Sequence, residues 1–210
     1  MRSSAEMTNV GAISGLQKPE GTEVEIKRKH AVLILGPPCS GKKNVRECLA
    51  GCGFYSYSSS EALSEYGRNY NPRVLQAMDS GDDVDIVDVI RVSGWQYQDF
   101  LAHREKGVFD GWGRNIKDIA HAVQSLNHGK AEITVVYLDA PNDVLLSRGT
   151  TRNRDDDHHL SKRIHHHRDR DPDIQNALSR NNIPVIYIQT SGKSQKQVGD
   201  EVLRKLGLSQ

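Results

Sequence analysis

The chain is poor in cysteine, in long apolar runs and in excess charge of either sign. Only three cysteines occur in 210 residues, too few for a disulfide framework, which favours a reducing, cytoplasmic setting. No apolar run approaches the about 20 residues that a membrane-spanning helix needs, so no membrane partner is expected. The 28 basic and 27 acidic residues leave a net charge of +1. Nucleic-acid-binding domains carry a clear basic excess, so no nucleic-acid partner is expected either. The first residues lack the apolar stretch of a secretory signal. Arg2, alone there and followed by acidic Glu6, makes a poor mitochondrial presequence. The length suits one domain with a sizeable core.

What is present is alternation. Residues 1–29 are rich in Ser, Gly, Thr and charge without periodicity, and read as a flexible tail. From residue 30 to 210, short apolar runs alternate with longer amphipathic ones. Strands are expected at 31–36, 54–58, 107–112, 133–140 and 183–190, and helices at 42–50, 92–106, 116–126, 142–147, 157–180 and 195–206. Strands separated by helical crossovers imply an α/β domain, a five-stranded parallel sheet with helices on both faces. Ligands of such sheets bind beyond the carboxyl ends of the strands. Residues 36–42, 58–60, 110–114 and 141–152 lie directly after strands. No internal repeat is present.

The first of these loops carries the chemistry. Gly36-Pro37-Pro38-Cys39-Ser40-Gly41-Lys42 fits the spacing G-x-x-x-x-G-K. A glycine-rich turn between strand and helix points backbone N–H groups at an anion, and the lysine reaches terminal phosphates. The plain alternative is an ordinary strand-to-helix turn with an exposed lysine. Lys43 and Asn44 follow where a magnesium-binding hydroxyl is wanted.

Four segments in order carry a resemblance: "GPPCSGKKN" (36–44), "DGWGRN" (110–115), "RGTTRNRDDD" (148–157) and "LSKRIHHHRDRDPDI" (160–174). Together they resemble the adenylate kinase and UMP/CMP kinase family of nucleoside monophosphate kinases. That family reads roughly G-x-P-G-S/A-G-K-G-T, D-G-F/Y-P-R, R-x-D-D and an arginine on the following helix. The likeness spans about residues 31 to 207. It implies a P-loop NTPase fold with a small acceptor-binding insert (about 59–94) and a short lid (about 148–157). A zinc-bearing lid is excluded, because no cysteine follows Cys52.

The resemblance implies transfer of the ATP γ-phosphoryl group to AMP or another nucleoside monophosphate, with Mg2+ accompanying ATP, by a monomer. It places ATP on Gly36, Pro37, Pro38, Cys39, Ser40, Gly41, Lys42, Lys43 and Asn44. Lys42, Arg114, Arg148, Arg163 and one of Arg152 and Arg154 take the catalytic positions. Arginine suits them because its planar fork holds phosphate oxygens in pairs. Ser59, Glu61, Gly111 and Arg114 fall on the acceptor side. Asp110 stands where the family orders magnesium through water, and Asn44 could ligate it weakly.

The chain also departs from the pattern. Cys39 replaces the middle glycine of the loop, and costs about 1 kcal/mol or more if that position needs φ > 0. Lys43 replaces a glycine, Asn44 a hydroxyl residue, Ser64 an acceptor-phosphate arginine and Gly113 a proline. Arg68 and Arg73 are the nearby candidates to compensate for Ser64. Together these changes allow a slow or altered kinase. They also allow a catalytically weak or inactive nucleotide-binding scaffold or sensor, or a phosphotransferase with a non-nucleotide acceptor.

Other features have plain readings. The histidines at 158, 159, 165, 166 and 167 share a segment crowded with Arg and Asp, and read as a solvated face rather than a metal site. Cys48 and Cys52 read as small packed residues. Trp95, Tyr97 and Phe100 read as one packing face, Trp112 as packing or base stacking, and Asp155–Asp157 as a solvated acidic turn or a partner for lid groups.

Overall fold

The computed structural model describes residues 28–152 and 159–208. Five strands, β1 (His30–Leu35), β2 (Tyr55–Ser58), β3 (Lys106–Asp110), β4 (Glu132–Asp139) and β5 (Val185–Gln189), form one sheet in the order β2-β3-β1-β4-β5. Every pairing is parallel, so each connection must cross over, and helices do so on both faces. The helices are α1 (Lys42–Gly51), α2 (Ser59–Asn69), α3 (Pro72–Asp79), α4 (Ile86–His103), α5 (Ile116–His128), α6 (Asn142–Arg152), α7 (Leu160–Arg180) and α8 (Gln195–Lys205). This is the expected α/β architecture, with the arrangement of a P-loop NTPase.

β1 is the centre of the sheet, and its apolar run is continuous because both faces are covered. Ala31, Leu33 and Leu35 join the core under α4, α5 and α7, whereas Val32 and Ile34 join the core under α1 and α8. One strand thus feeds two cores with a period of two. Each fully buried aliphatic side chain contributes about 1.5–3 kcal/mol.

Several boundaries differ from expectation, for local reasons. α4 begins at Ile86 rather than 92, because Asp85 caps it and accepts a hydrogen bond from Val87 N at 2.8 Å. It ends at His103, where Arg104 turns extended, so Lys106 belongs to β3 rather than to the helix. α6 continues to Arg152 instead of stopping at 147, and α7 starts at Leu160. Trp95 is half exposed against Tyr66 and Tyr70, whereas Tyr97 and Phe100 are buried. Positions two apart on a helix face nearly opposite ways, so the three never shared a face.

Gly36 ends β1 where the sheet meets the first loop. Its φ is +132°, and a Cβ there would stand 2.1 Å from Leu138 O on β4. Gly36→Ala is therefore expected to lower the stability by about 3 kcal/mol, read as the shift of a urea denaturation curve. An unshifted curve would mean that β1 and β4 can part without cost.

A candidate phosphate-binding cleft at the strand ends

A cleft of about 1090 Å³ opens above the carboxyl ends of β1, β2 and β3. Its walls include the loop before α1, the opening turn of α2, Asp110–Arg114 after β3, and α6 and α7. The sequence-predicted residues converge here, apart from Pro37, which is buried behind the loop, and residues outside the described range. Arg154, Asp155–Asp157 and His158 lie outside that range, as do residues 1–27 of the segment expected to be a tail; Arg152 closes α6, and its side chain is not described.

The loop is wound for an anion. Gly41 caps α1 at φ +100° with no side-chain cap, which leaves the first N–H groups of α1 for a ligand. Cys39 adopts φ +62°, the left-handed conformation that its family glycine suits. Its side chain packs against the small cluster of Ala140, Leu145, Leu160 and Ile164. Ser40 is buried, and its Oγ has no partner among the described residues. Lys42 Nζ donates to Gly36 O at 2.8 Å and Pro37 O at 2.7 Å. Burial pulls the Lys42 ammonium down to about 8; Asp110 opposes this, and Arg114 and Arg163 add to it. His167 also lines the cleft, and burial with the nearby Lys42 charge lowers it to about 4, so it is neutral at pH 7.

The two residues after Lys42 also line the cleft, and both have partners within the chain. Lys43 is exposed and pairs with Glu47 at 3.6 Å, one turn along α1. Asn44 Nδ2 donates to Gln195 O at 2.9 Å, which holds the amide nitrogen at the start of α8 and leaves the amide oxygen uncommitted among the described residues. Among the carboxylates that line the cleft, Asp110 lies near Lys42. Among the described residues no three His, Cys, Asp or Glu form a metal cage. Mg2+ is bound through one or two carboxylates plus substrate phosphates, so this donor set fits an ion that arrives with its nucleotide.

At the opening turn of α2, Arg114 NH2 donates to Ser59 Oγ at 3.1 Å, and Arg114 Nε donates to Gly111 O at 2.9 Å. Asp118, fully buried, fixes this turn by accepting from Gly113 N at 2.5 Å and Arg114 N at 3.1 Å. Burial pushes the Asp118 carboxyl up, against the two backbone hydrogen bonds. Sequence reasoning missed Asp118, although its place three residues after the cap Asn115 was a visible signal. It also missed Arg46, Arg170 and the hydrogen bond of Trp112 Nε1 to Gln96 Oε1 at 2.7 Å, which makes Trp112 a packing residue. Arg68 and Arg73 are exposed and stand outside the cleft, and Ser64 Oγ meets Met78 Sδ at 3.9 Å.

The remaining arginines are held. Arg148 donates to Thr190 Oγ1 at 2.9 Å, Thr190 O at 2.7 Å and Cys39 O at 3.4 Å. Arg163 lines the cleft near Lys42 and Arg114. Arg170 forks onto Asp83, and Lys162 pairs with Asp82 at 2.5 Å, which joins the loop after α3 to α7. His166 faces the cleft with His167, whereas His165 is exposed near Asp169. Cys48 and Cys52 are free, half-buried thiols.

Gly113 has φ +79°, and its N–H is the shorter bond to Asp118. Proline can offer neither that φ nor that N–H. Gly113→Pro, which restores the family residue, is therefore expected to cost about 3 kcal/mol or more in a denaturation measurement. A stability equal to the wild type would show that the turn is not held by Asp118.

Comparison with known proteins agrees with this geometry. No family profile matches the chain. It is similar to an adenylate kinase of Prochlorococcus marinus (strain AS9601), 30% identical over 139 residues, covering 62% of this chain and 72% of that protein. With the parallel sheet, the strand-end cleft and the loop lysine in place, that coverage shows that the chain belongs to the adenylate kinase-like family.

Proposed function

We propose that the protein is a nucleoside monophosphate kinase that moves the γ-phosphoryl group of ATP to AMP or another monophosphate. The observation that carries this reading is the gathering of Lys42, Arg114, Arg148 and Arg163 around one cleft at the ends of β1, β2 and β3. Phosphoryl transfer asks chiefly for positioning and charge neutralisation, and this set supplies both. ATP phosphates take the N–H groups of the loop and draw Lys42 away from Gly36 O and Pro37 O. Arg114 holds the acceptor phosphate, and Arg163 with Arg152 or Arg154 neutralises the charge that develops in an in-line transfer. Asp110 would hold Mg2+ through water, and the bound ion would supply charge neutralisation at the β- and γ-phosphates. The insert (59–94) and lid (148–157) close over both nucleotides and exclude water. The protein acts as a cytoplasmic monomer.

A coupled assay for diphosphate formation from ATP-Mg, run with AMP, CMP, UMP, GMP and dTMP in parallel, tests this. Turnover with at least one acceptor is expected, and Lys42→Ala should abolish it. Silence with all five, with ATP binding intact, would point instead to a nucleotide-binding scaffold or sensor.

The lowered Lys42 also gives a pH signature. Below about pH 8 the empty site already holds the charged ammonium; above it, ATP must bring a proton with it. ATP affinity is expected to fall as pH rises past about 8, with proton uptake on binding, measured by calorimetry in buffers of different ionisation heat. Lys42→Met should remove both the uptake and the slope.

A further inference from the structure

Arg46, on α1, is buried to 8% exposure and lines the cleft. Among the described residues its guanidinium makes one hydrogen bond, NH2 to Glu61 Oε1 at 3.1 Å. Glu61 is itself 73% exposed, so this partner is loosely held. The Arg46 Nε is buried without a hydrogen bond, and Asp110 Oδ2 stands 4.0 Å away. A guanidinium has five N–H donors, and leaving the buried Nε–H unmet is costly. A well-packed apolar side chain would serve a purely structural role here at lower cost.

The surroundings say what would complete it. Arg46 is bonded to Glu61 and Arg114 to Ser59, so two forks are tied to the same opening turn of α2. That turn offers its own N–H groups, of which the cap Ser58 takes the one of Glu61 at 3.4 Å. Arg148 is committed to Thr190, and Arg170 to Asp83. Arg46 and Arg114 are thus the pair that share this turn.

We propose that Arg46 is a ligand of the acceptor's phosphate, which it grips together with Arg114 at the first turn of α2. The acceptor class is then a phosphomonoester, and Glu61 holds Arg46 in place until that dianion takes over its fork. This assignment rests on the kinase reading and adds to it a residue from the donor-side helix.

Calorimetric titration of the full chain with AMP, CMP, UMP, GMP and dTMP, and with the matching nucleosides, isolates the phosphate's share. Arg46→Gln is expected to weaken the bound monophosphate by about ten- to hundredfold while ATP and nucleoside affinities stay as in the wild type. Arg46→Lys, which keeps the charge but not the fork, should recover part of the loss, and it carries the test if the Gln variant does not fold. Unchanged monophosphate affinity in a folded variant overturns the assignment. An equal loss for ATP also overturns it, because Arg46 then serves the donor. A wild-type chain that binds neither ATP nor any monophosphate overturns the kinase reading itself, and this assignment with it.

Discussion

Lys42 forms no ion pair among the described residues. Its ammonium rests on two loop carbonyls, Gly36 O and Pro37 O, with Arg114 and Arg163 close enough to disfavour its charge. A cation buried beside other cations is an unfavourable arrangement that an incoming polyanion reverses. Most features of the cleft follow from this imbalance. The loop supplies carbonyls because nothing better is at hand without a ligand. Asp110 is the nearby carboxylate that favours the charged form. His167 stays neutral because it is buried, and because a protonated ring there would add to the same crowding.

The crowding is kept from dispersing by contacts that are individually weak and of long sequence separation. Arg148 ties α6 to Thr190 after β5 and to Cys39 O in the loop. Cys39 in turn lodges its side chain among Ala140, Leu145, Leu160 and Ile164. The left-handed backbone at Cys39 costs about 1–2 kcal/mol, and burial of a small apolar side chain offsets a comparable amount. Glycine would relieve the strain and lose the anchor. The Asp82–Lys162 and Asp83–Arg170 pairs join the acceptor side to α7 in the same way. Such exposed pairs contribute little to stability.

The strands were legible because a parallel strand buried on both faces must read as a continuous apolar run, as 31–36 and 133–140 do. The loop was legible because its glycines and lysine stand at fixed offsets. Helix starts that depend on a cap were harder: Asp85 sits in an acidic stretch where any of several residues could have capped α4. Arg46 was invisible for a deeper reason. On α1 it reads as an ordinary helical arginine, and only the return of the chain at Glu61 and Asp110 makes it a buried cation. Asp118 likewise acquires its meaning from Gly113 and Arg114, whose N–H groups it collects. Local pattern reports the element a residue belongs to; it does not report which distant groups share its surroundings.

Taken singly, the departures from the family pattern look like the erosion of an enzyme. In the structure one of them, Gly113, is coupled to a buried acid outside the pattern. The φ of +79° at Gly113 excludes proline, and the N–H that proline would lack is the donor that Asp118 needs. Without that donor the buried carboxylate would keep only the longer bond from Arg114 N, at a cost of about 1–3 kcal/mol. Glycine at 113 and aspartate at 118 therefore form one unit, and that unit holds the backbone of Arg114. Random loss has no reason to couple a turn glycine to a buried acid and leave the arginine between them in place. The coupling fits a cleft whose charge layout is rearranged around Arg114 and Arg46 rather than abandoned.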